Sequence, residues 1–318
     1  MLLWAARRVV VSLVLIWTVA TVVFTGIHLV PGDPAELLLL SSGGVAPDPA
    51  AVAELRERLG LDRPFLVQYG DFLGRLARGD LGTSMIDDHP VMDEVLLRLP
   101  RTLELIAAGA VLAVMIGIPV GTEAALRRGT VFDRATSATA ALLLAVPIFV
   151  VGTLLVLVFA QWLRWMPAGG YVPLARDPWQ HLTLLTMPAL AIAKGLVAVV
   201  FRMTRAAVLD SLSRDFVRTA RAKGLSPARI LVHHVVRNAI IPVLTVLALH
   251  MGTLLGGTVL VEYVFNWPGL STPLLKAVEA RDYPMVIGIV LTISVLFVAL
   301  NLVMDLVYAA LDPRIRHA

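Results

Sequence analysis

Residues 213–242 read SRDFVRTARAKGLSPARILVHHVVRNAIIP, and the organisation of the whole chain can be worked outward from them. Ser213 offers a capping hydroxyl to a helix from Arg214 to Lys223, since a serine side chain accepts from the free N–H groups of a first helical turn. Gly224 stops that helix in the left-handed conformation, which glycine enters without a Cβ penalty. Ser226 then caps a second helix with Pro227 at its first position, where the missing N–H would have had no partner anyway. The product is a short helix, a sharp bend and a second helix. Phe216, Ala220 and Leu225 are its small or apolar side, while Arg218, Arg221 and Lys223 project outward. An amphipathic helix lying on anionic lipid would also be basic on one face. Such a helix needs no Gly-x-Ser-Pro bend, so the pattern favours a compact, rigid knob that docks a protein.

The flanks of this stretch are apolar. Thr183–Met203 precedes it, interrupted by Lys194, and Asn238–Val261 leads away from it. Four more runs of this kind occur, at Val9–Gly32, Leu105–Thr122, Ala135–Leu163 and Tyr283–Met304. Each has about the 20 mainly apolar residues that a membrane helix requires. They are continuous, whereas barrel strands alternate over about ten residues. Pro119, Pro147 and Pro188 fall inside runs, which membrane helices tolerate because neighbouring helices re-satisfy the freed backbone. Composition agrees: 58% of the 318 residues are apolar and 16% charged, with a mean hydropathy of +0.82. A soluble core of this size could not hide so much apolar surface. A plain cytosolic enzyme, a disordered chain and a nucleic-acid-binding domain are thereby excluded, and a six-span, all-α membrane protein is expected. The chain has no cysteine, which removes disulfides and thiolate metal sites.

Orientation follows from Lys and Arg, which accumulate in cytoplasmic loops. Arg7 and Arg8 precede the first run. That run is longer than a signal-peptide core and ends at Pro31, Gly32 and Pro34 without a small-residue cleavage site, so an uncleaved span is expected. Arg127, Arg128 and Arg134 follow the second run, the 213–242 stretch is basic, and Arg314 and Arg316 lie near the end. With six spans all of these face the cytoplasm, as do both termini. Residues 31–101, with twelve acidic and seven basic residues, then lie outside. The net charge of +4 thus reports orientation and implies no nucleic-acid partner.

The external segment carries its own helices. Asp48–Pro49 opens one with Val52, Leu55 and Leu59 on a face and Gly60 as its stop. A second runs from about Pro64 to Arg78 with Phe65, Tyr69, Phe72 and Leu76 as its apolar face, and Asp88 with Pro90 opens a third that leads to Leu99 and Pro100. Such a cap either packs the first span against the rest or docks a soluble partner.

The 213–242 stretch resembles the cytoplasmic EAA loop of ABC-importer permeases, and RTARAKGLSPARI followed by RNAIIP is similar to the dipeptide/oligopeptide (peptide/nickel) permease family. LVPGDPA, LGLDRPFLVQY, RGDLGTS, RLPRTLEL, WMPAGGY, VEYVFNWPGL and LDPRIR match the same pattern in order along essentially the whole chain. Arg218, followed by Thr219 and Ala220, stands where the general motif has glutamate, and Gly224 keeps the motif glycine. The resemblance implies a type I ABC-importer permease fold. An N-terminal tail and first span (1–32) and an external helical segment (33–101) would precede a permease core (102–318) that holds the coupling loop 204–239. It also implies a non-catalytic subunit of the cytoplasmic (inner) membrane of a prokaryote, in contact with membrane lipid. Its partners would be a second homologous permease chain, two ATPase subunits and an extracytoplasmic substrate-binding protein. Phe216, Arg218, Thr219, Ala220, Arg221, Ala222, Lys223, Gly224, Leu225 and Ser226 would form the ATPase-coupling surface. The implied cargo is dipeptides or oligopeptides, with nickel chelates, glutathione or another small solute as alternatives.

No G-x-x-x-x-G-K-[ST] phosphate loop occurs, so ATP and Mg belong on partner subunits and no cofactor is expected on this chain. Lys194, near the middle of its run, either faces the pathway and meets a substrate carboxylate, is paired structurally, or lies nearer an interface. His250 is a second pathway candidate, although a lone histidine more often bonds a neighbouring helix. His233 and His234 are adjacent and diverge by about 100° on a helix, so no metal site is expected. A gradient-driven secondary carrier is the rival of a different class, supported by Lys194 alone. An intramembrane protease would need H-E-x-x-H or G-x-S-x-G, and neither is present.

Overall fold

A computed structural model of the chain describes residues 2–29, 33, 35, 36, 39 and 48–311. Among these residues the elements are helices, and the only strand-like feature is an isolated Thr83–Pro90 bridge. The helices are α1 (Leu2–His28), α2 (Pro49–Leu59), α3 (Phe65–Ala77), α4 (Val91–Leu126), α5 (Val131–Ala145), α6 (Ile148–Leu155), α7 (Pro178–Ser213), α8 (Asp215–Ala222), α9 (Pro227–Ile230), α10 (Arg237–Val264), α11 (Ser271–Ala280) and α12 (Tyr283–Leu311). Wider π-helical turns, Val156–Trp162 and Leu231–Val236, extend α6 and join α9 to α10. Among the described residues, five helical segments are long and apolar enough to cross a membrane; α5 and α6 make a sixth if counted as one span. The expected end of the first span at Pro31, Gly32 and Pro34, and the LDPRIR segment beyond Leu311, lie outside the described residues.

The chain divides into two compact units, one of Arg101–Pro268 with the chain from Ala299, the other of Leu2–Pro100 with Gly269–Val298. In the second unit α3 lies on α1: Phe72, Ala20, Phe24 and Leu291 are buried together, and Phe24 stacks on Phe72 at 5.0 Å between ring centres. The Thr21 and Tyr69 hydroxyls are 2.6 Å apart across the same contact. The sequence-expected face of α3 is therefore the one that packs on the first span. Asp48 caps α2 by accepting from the Ala50 N–H at 3.1 Å, and Gly60 ends it at φ +68°. Asp282, buried, opens α12: its carboxylate accepts from the Ser84 hydroxyl at 2.5 Å and from the Met285 N–H at 3.3 Å.

In the first unit α7 is the central element. Met187, Ile192, Leu196, Val200, Phe201 and Val208 are buried along it. Glycines on α4 let the two backbones approach: a Cβ on Gly121 would stand 2.7 Å from the Phe201 carbonyl oxygen. At the start of α5, capped by Thr130, the Asp133 carboxylate receives a bidentate pair of hydrogen bonds from Arg205 of α7, at 2.6 and 2.8 Å.

Three local expectations are corrected. The run Ala135–Leu163 is not one straight helix: α5 and its continuation Ile148–Trp162 are bent by 107° at Val146–Pro147. Proline disfavours helical geometry in the residue before it, and Val146 is extended (φ −78°, ψ 131°). The helix opened after Pro90 does not stay a separate external element leading to Leu99 and Pro100: it runs through Pro100 into the second apolar run as one element, α4. Ser213 does not cap α8. It is the last residue of α7, its hydroxyl donates to the Asp210 carbonyl at 2.7 Å, and the extended Arg214 precedes α8 without a side-chain cap.

Candidate coupling surface and transmembrane cavity

The bend after α8 is closed by backbone chemistry. Gly224 sits at φ +75°, its N–H donates to the Arg221 carbonyl at 2.9 Å, and the Leu225 N–H reaches back to the Ala220 carbonyl at 3.3 Å. This pair of bonds is the Schellman arrangement, and the contact of Leu225 with the Ala220 cluster is the hydrophobic clasp that accompanies it. Ser226 stands at the cap position of α9 with extended backbone and Pro227 following, but its side chain makes no capping bond.

Below the bend, Val217 and Ala220 of α8 are buried with Val208, Ile230, Val235, Ala239 and Ala125, and Phe216, Leu225 and Leu231 pack around them. Val217, which the sequence reading did not single out, is fully buried and is the deepest anchor. The opposite face is solvent-exposed: Arg218, Thr219, Arg221, Ala222, Lys223, Gly224 and Ser226 all lie there. Asp215 in the first turn and Arg221 in the last complement the helix dipole. The Arg218–Asp215 pair, at 3.7 Å with both side chains over 80% exposed, adds little stability. Of the ten sequence-selected residues, seven are thus exposed, while Phe216, Ala220 and Leu225 pack into the cluster beneath.

Lys194 and His250 line one cavity of about 240 Å³, with Leu144, Ile148, Ile192 and Leu254 among its walls. The Lys194 ammonium donates to the carbonyl of Leu143 at 2.8 Å and to that of Val146. His250 Nδ1 lies 3.0 Å from the Val246 carbonyl of its own helix.

One grouping escaped the sequence reading. Within the first unit, Arg101–Leu105 of RLPRTLEL, WMPAGGY and Val261–Pro268 of VEYVFNWPGL supply residues that meet. The Trp267 indole donates to the Arg101 carbonyl at 3.0 Å, and Tyr171 meets Trp267 edge-on at 4.9 Å under the Arg101 guanidinium. Thr102 donates to buried Glu262 at 2.6 Å. Buried His181 joins them, its Nδ1 donating to the Val172 carbonyl at 2.7 Å and its Nε2 lying 2.7 Å from Glu104. The signal was available as motifs, but their meeting required the fold, since up to 166 residues separate the partners.

Apolar helices of membrane-spanning length with a basic, solvent-facing elbow fit a transport permease, and comparison with known proteins shows the family. The model described as "Binding-protein-dependent transport system inner membrane component" matches residues 113–317, and a companion, "Binding-prot-dependent transport system membrane comp, N-term", matches residues 1–106. The chain belongs to this family and is a multi-pass inner-membrane permease subunit of an ABC importer, of the peptide branch. It is 40% identical to the di/tripeptide transport system permease protein DppB of Pseudomonas aeruginosa, over all of this chain and 99% of that one. It is 39% identical to the glutathione transport system permease protein GsiC of Escherichia coli K12, over the full length of both. Among solved structures, the inward-facing MetNI methionine ABC transporter covers 70% of this chain with 97% of its own, at TM-score 0.52 and 15% identity, a likeness of fold alone.

Proposed function

We propose that this permease takes up dipeptides or oligopeptides across the cytoplasmic membrane, driven by ATP hydrolysis on two partner ATPase subunits. A second homologous permease chain completes the pathway. An extracytoplasmic binding protein delivers the cargo to the side of the 33–101 segment. Both termini and the 204–239 loop are cytoplasmic, as the distribution of Lys and Arg supports.

One observation carries the coupling role: Arg218, Arg221 and Lys223 are exposed on a helix whose other face, through Val217 and Ala220, is locked into a buried apolar cluster. A docking element must transmit displacement without absorbing it. The Schellman bend and the cluster stiffen α8 against α7, so closure of the ATPase pair moves the elbow and the helices behind it together. ATP and Mg act on the ATPase chains. This chain contributes the lever and the path.

Deleting Arg218–Ser226, or making Gly224→Pro, abolishes ATP-driven uptake while the amount of inserted permease stays unchanged. Proline cannot adopt the φ of +75° found there. Normal uptake and ATPase assembly in both variants would defeat the coupling role.

Glutathione is the second reading of the cargo, favoured by full-length relatives named for it at 39–40% identity. The ligand that co-purifies with the partner binding protein decides between the two. A metal chelate there would remove both cargo readings and leave the permease assignment intact.

A further inference from the structure

The break between α5 and α6 leaves a specific gap in the backbone. In an uninterrupted helix the Leu143 carbonyl accepts from the N–H four residues on, and that residue is Pro147, which has none. In a membrane interior no water is at hand to fill such a gap. The Lys194 ammonium fills it, at 2.8 Å from the Leu143 oxygen, and it donates also to the Val146 oxygen at the corner itself. Among the described residues no carboxylate pairs with Lys194. Its partners are the two carbonyls that the proline break exposes.

We propose that Lys194 is a substitute backbone donor for Pro147, a positioning residue that pins the 107° break of α5–α6 to the middle of α7. Leu144 and Ile148, on either side of the corner, line the same cavity as Lys194, so the pin also sets the shape of that wall. α7 runs without interruption from Pro178 to Ser213, where Arg214 leads into the coupling helix. A displacement of α8 therefore travels along α7 to the corner. This last consequence rests on the coupling reading above, whereas the pin itself rests on the geometry of α5, α6 and α7.

The chain has no cysteine, so Ala138→Cys on α5 and Leu154→Cys on α6, both exposed positions, take a pair of spin labels on the purified chain, before assembly with its partners, at no other site. Their distance distribution is measured in the assembled transporter in lipid nanodiscs, for the parent and for Lys194→Met, Pro147→Ala and the double variant. Lys194→Met shifts or broadens the distribution. In the Pro147→Ala background, where residue 147 regains its N–H, the same substitution changes nothing further. If Lys194→Met alone fails to assemble, Pro147→Ala restores assembly. A parent-like distribution in Lys194→Met, shifts that simply add in the double variant, or assembly that Pro147→Ala does not restore would each overturn the pin. Uptake of dialanine and of C-terminally amidated dialanine provides the second arm. A pin affects both alike, and a loss confined to the free carboxylate would make Lys194 a substrate contact instead. If the parent carries neither peptide, the cargo reading fails and the distances still decide the pin.

Discussion

At the residue scale, three glycines separate space from conformation. A Cβ on Gly169 would lie 2.1 Å from the Phe265 carbonyl oxygen, inside the WMPAGGY–VEYVFNWPGL junction, and a backbone atom cannot turn aside as a side chain can. Gly169→Ala is expected to destabilise the permease by about 3 kcal/mol, an overpacking penalty. Gly224 has open space around it but a left-handed φ, so Gly224→Ala loses about 1–2 kcal/mol through backbone strain alone. Gly195, inside α7, has open space and helical geometry, and Gly195→Ala gains up to about 1 kcal/mol. Thermal unfolding of the purified complex ranks the three, and equal melting temperatures for the Gly169 and Gly195 variants would refute the close approach of Gly169 to Phe265. Thr102→Val is a polar counterpart: it removes a donor from buried Glu262 and should lose about 1–3 kcal/mol in the same assay.

At the element scale, two prolines with the same local chemistry have opposite outcomes. Pro100 is carried inside α4 and Pro147 breaks α5 from α6. The sequence reading places Pro100 where the third external helix leads and Pro147 inside an apolar run that would tolerate it, and neither outcome matches. Whether a freed carbonyl stays in a helix or turns out to another donor depends on what stands beside it, and the donor at Leu143 comes from a lysine 51 residues further along the chain. The elbow after α8 was legible for the converse reason. Its stop, bend and restart are local, set by Gly224 and Pro227 within a few residues of the bonds they control. What sequence missed there was Val217, which stands between Phe216 and Arg218 and shows its role only once the cluster around it is assembled. The same distinction separates two Asp–Arg pairs. Asp133 and Arg205 join α5 to α7 with the Asp133 side chain 5% exposed, whereas Asp210 and Arg214 lie four residues apart with both side chains over 60% exposed. Asp133→Asn should lower the melting temperature clearly and Asp210→Asn hardly at all, since exposed pairs contribute little. Arg205→Lys should fail to restore parent stability, because an ammonium cannot make the bidentate contact. A melting temperature for Asp210→Asn as low as that for Asp133→Asn would show that the α5–α7 clasp carries no special load.

At the scale of the whole molecule, the apolar runs, the basic 213–242 stretch and the acidic 31–101 segment were all legible in composition, because membrane insertion sorts residues by solvent before any tertiary contact forms. The meeting of Arg101, Tyr171, His181 and Trp267 was not, since nothing local encodes it. The same division governs energy supply. The chain carries no phosphate loop, and its membrane-depth cation Lys194 is engaged by two backbone carbonyls. Coupling to a proton gradient needs a group that takes up and releases the proton during transport, and a lysine held as a backbone donor cannot leave without releasing the α5–α6 corner. The chain reconstituted alone in vesicles should therefore show no uptake of dialanine or glutathione under a proton gradient. On the function proposed above, adding a second permease chain, ATPase subunits, a binding protein and ATP should start uptake of at least one of them, and vanadate should stop it. Gradient-dependent accumulation by the single chain would return Lys194 to the transport path and overturn the ATP-driven mechanism.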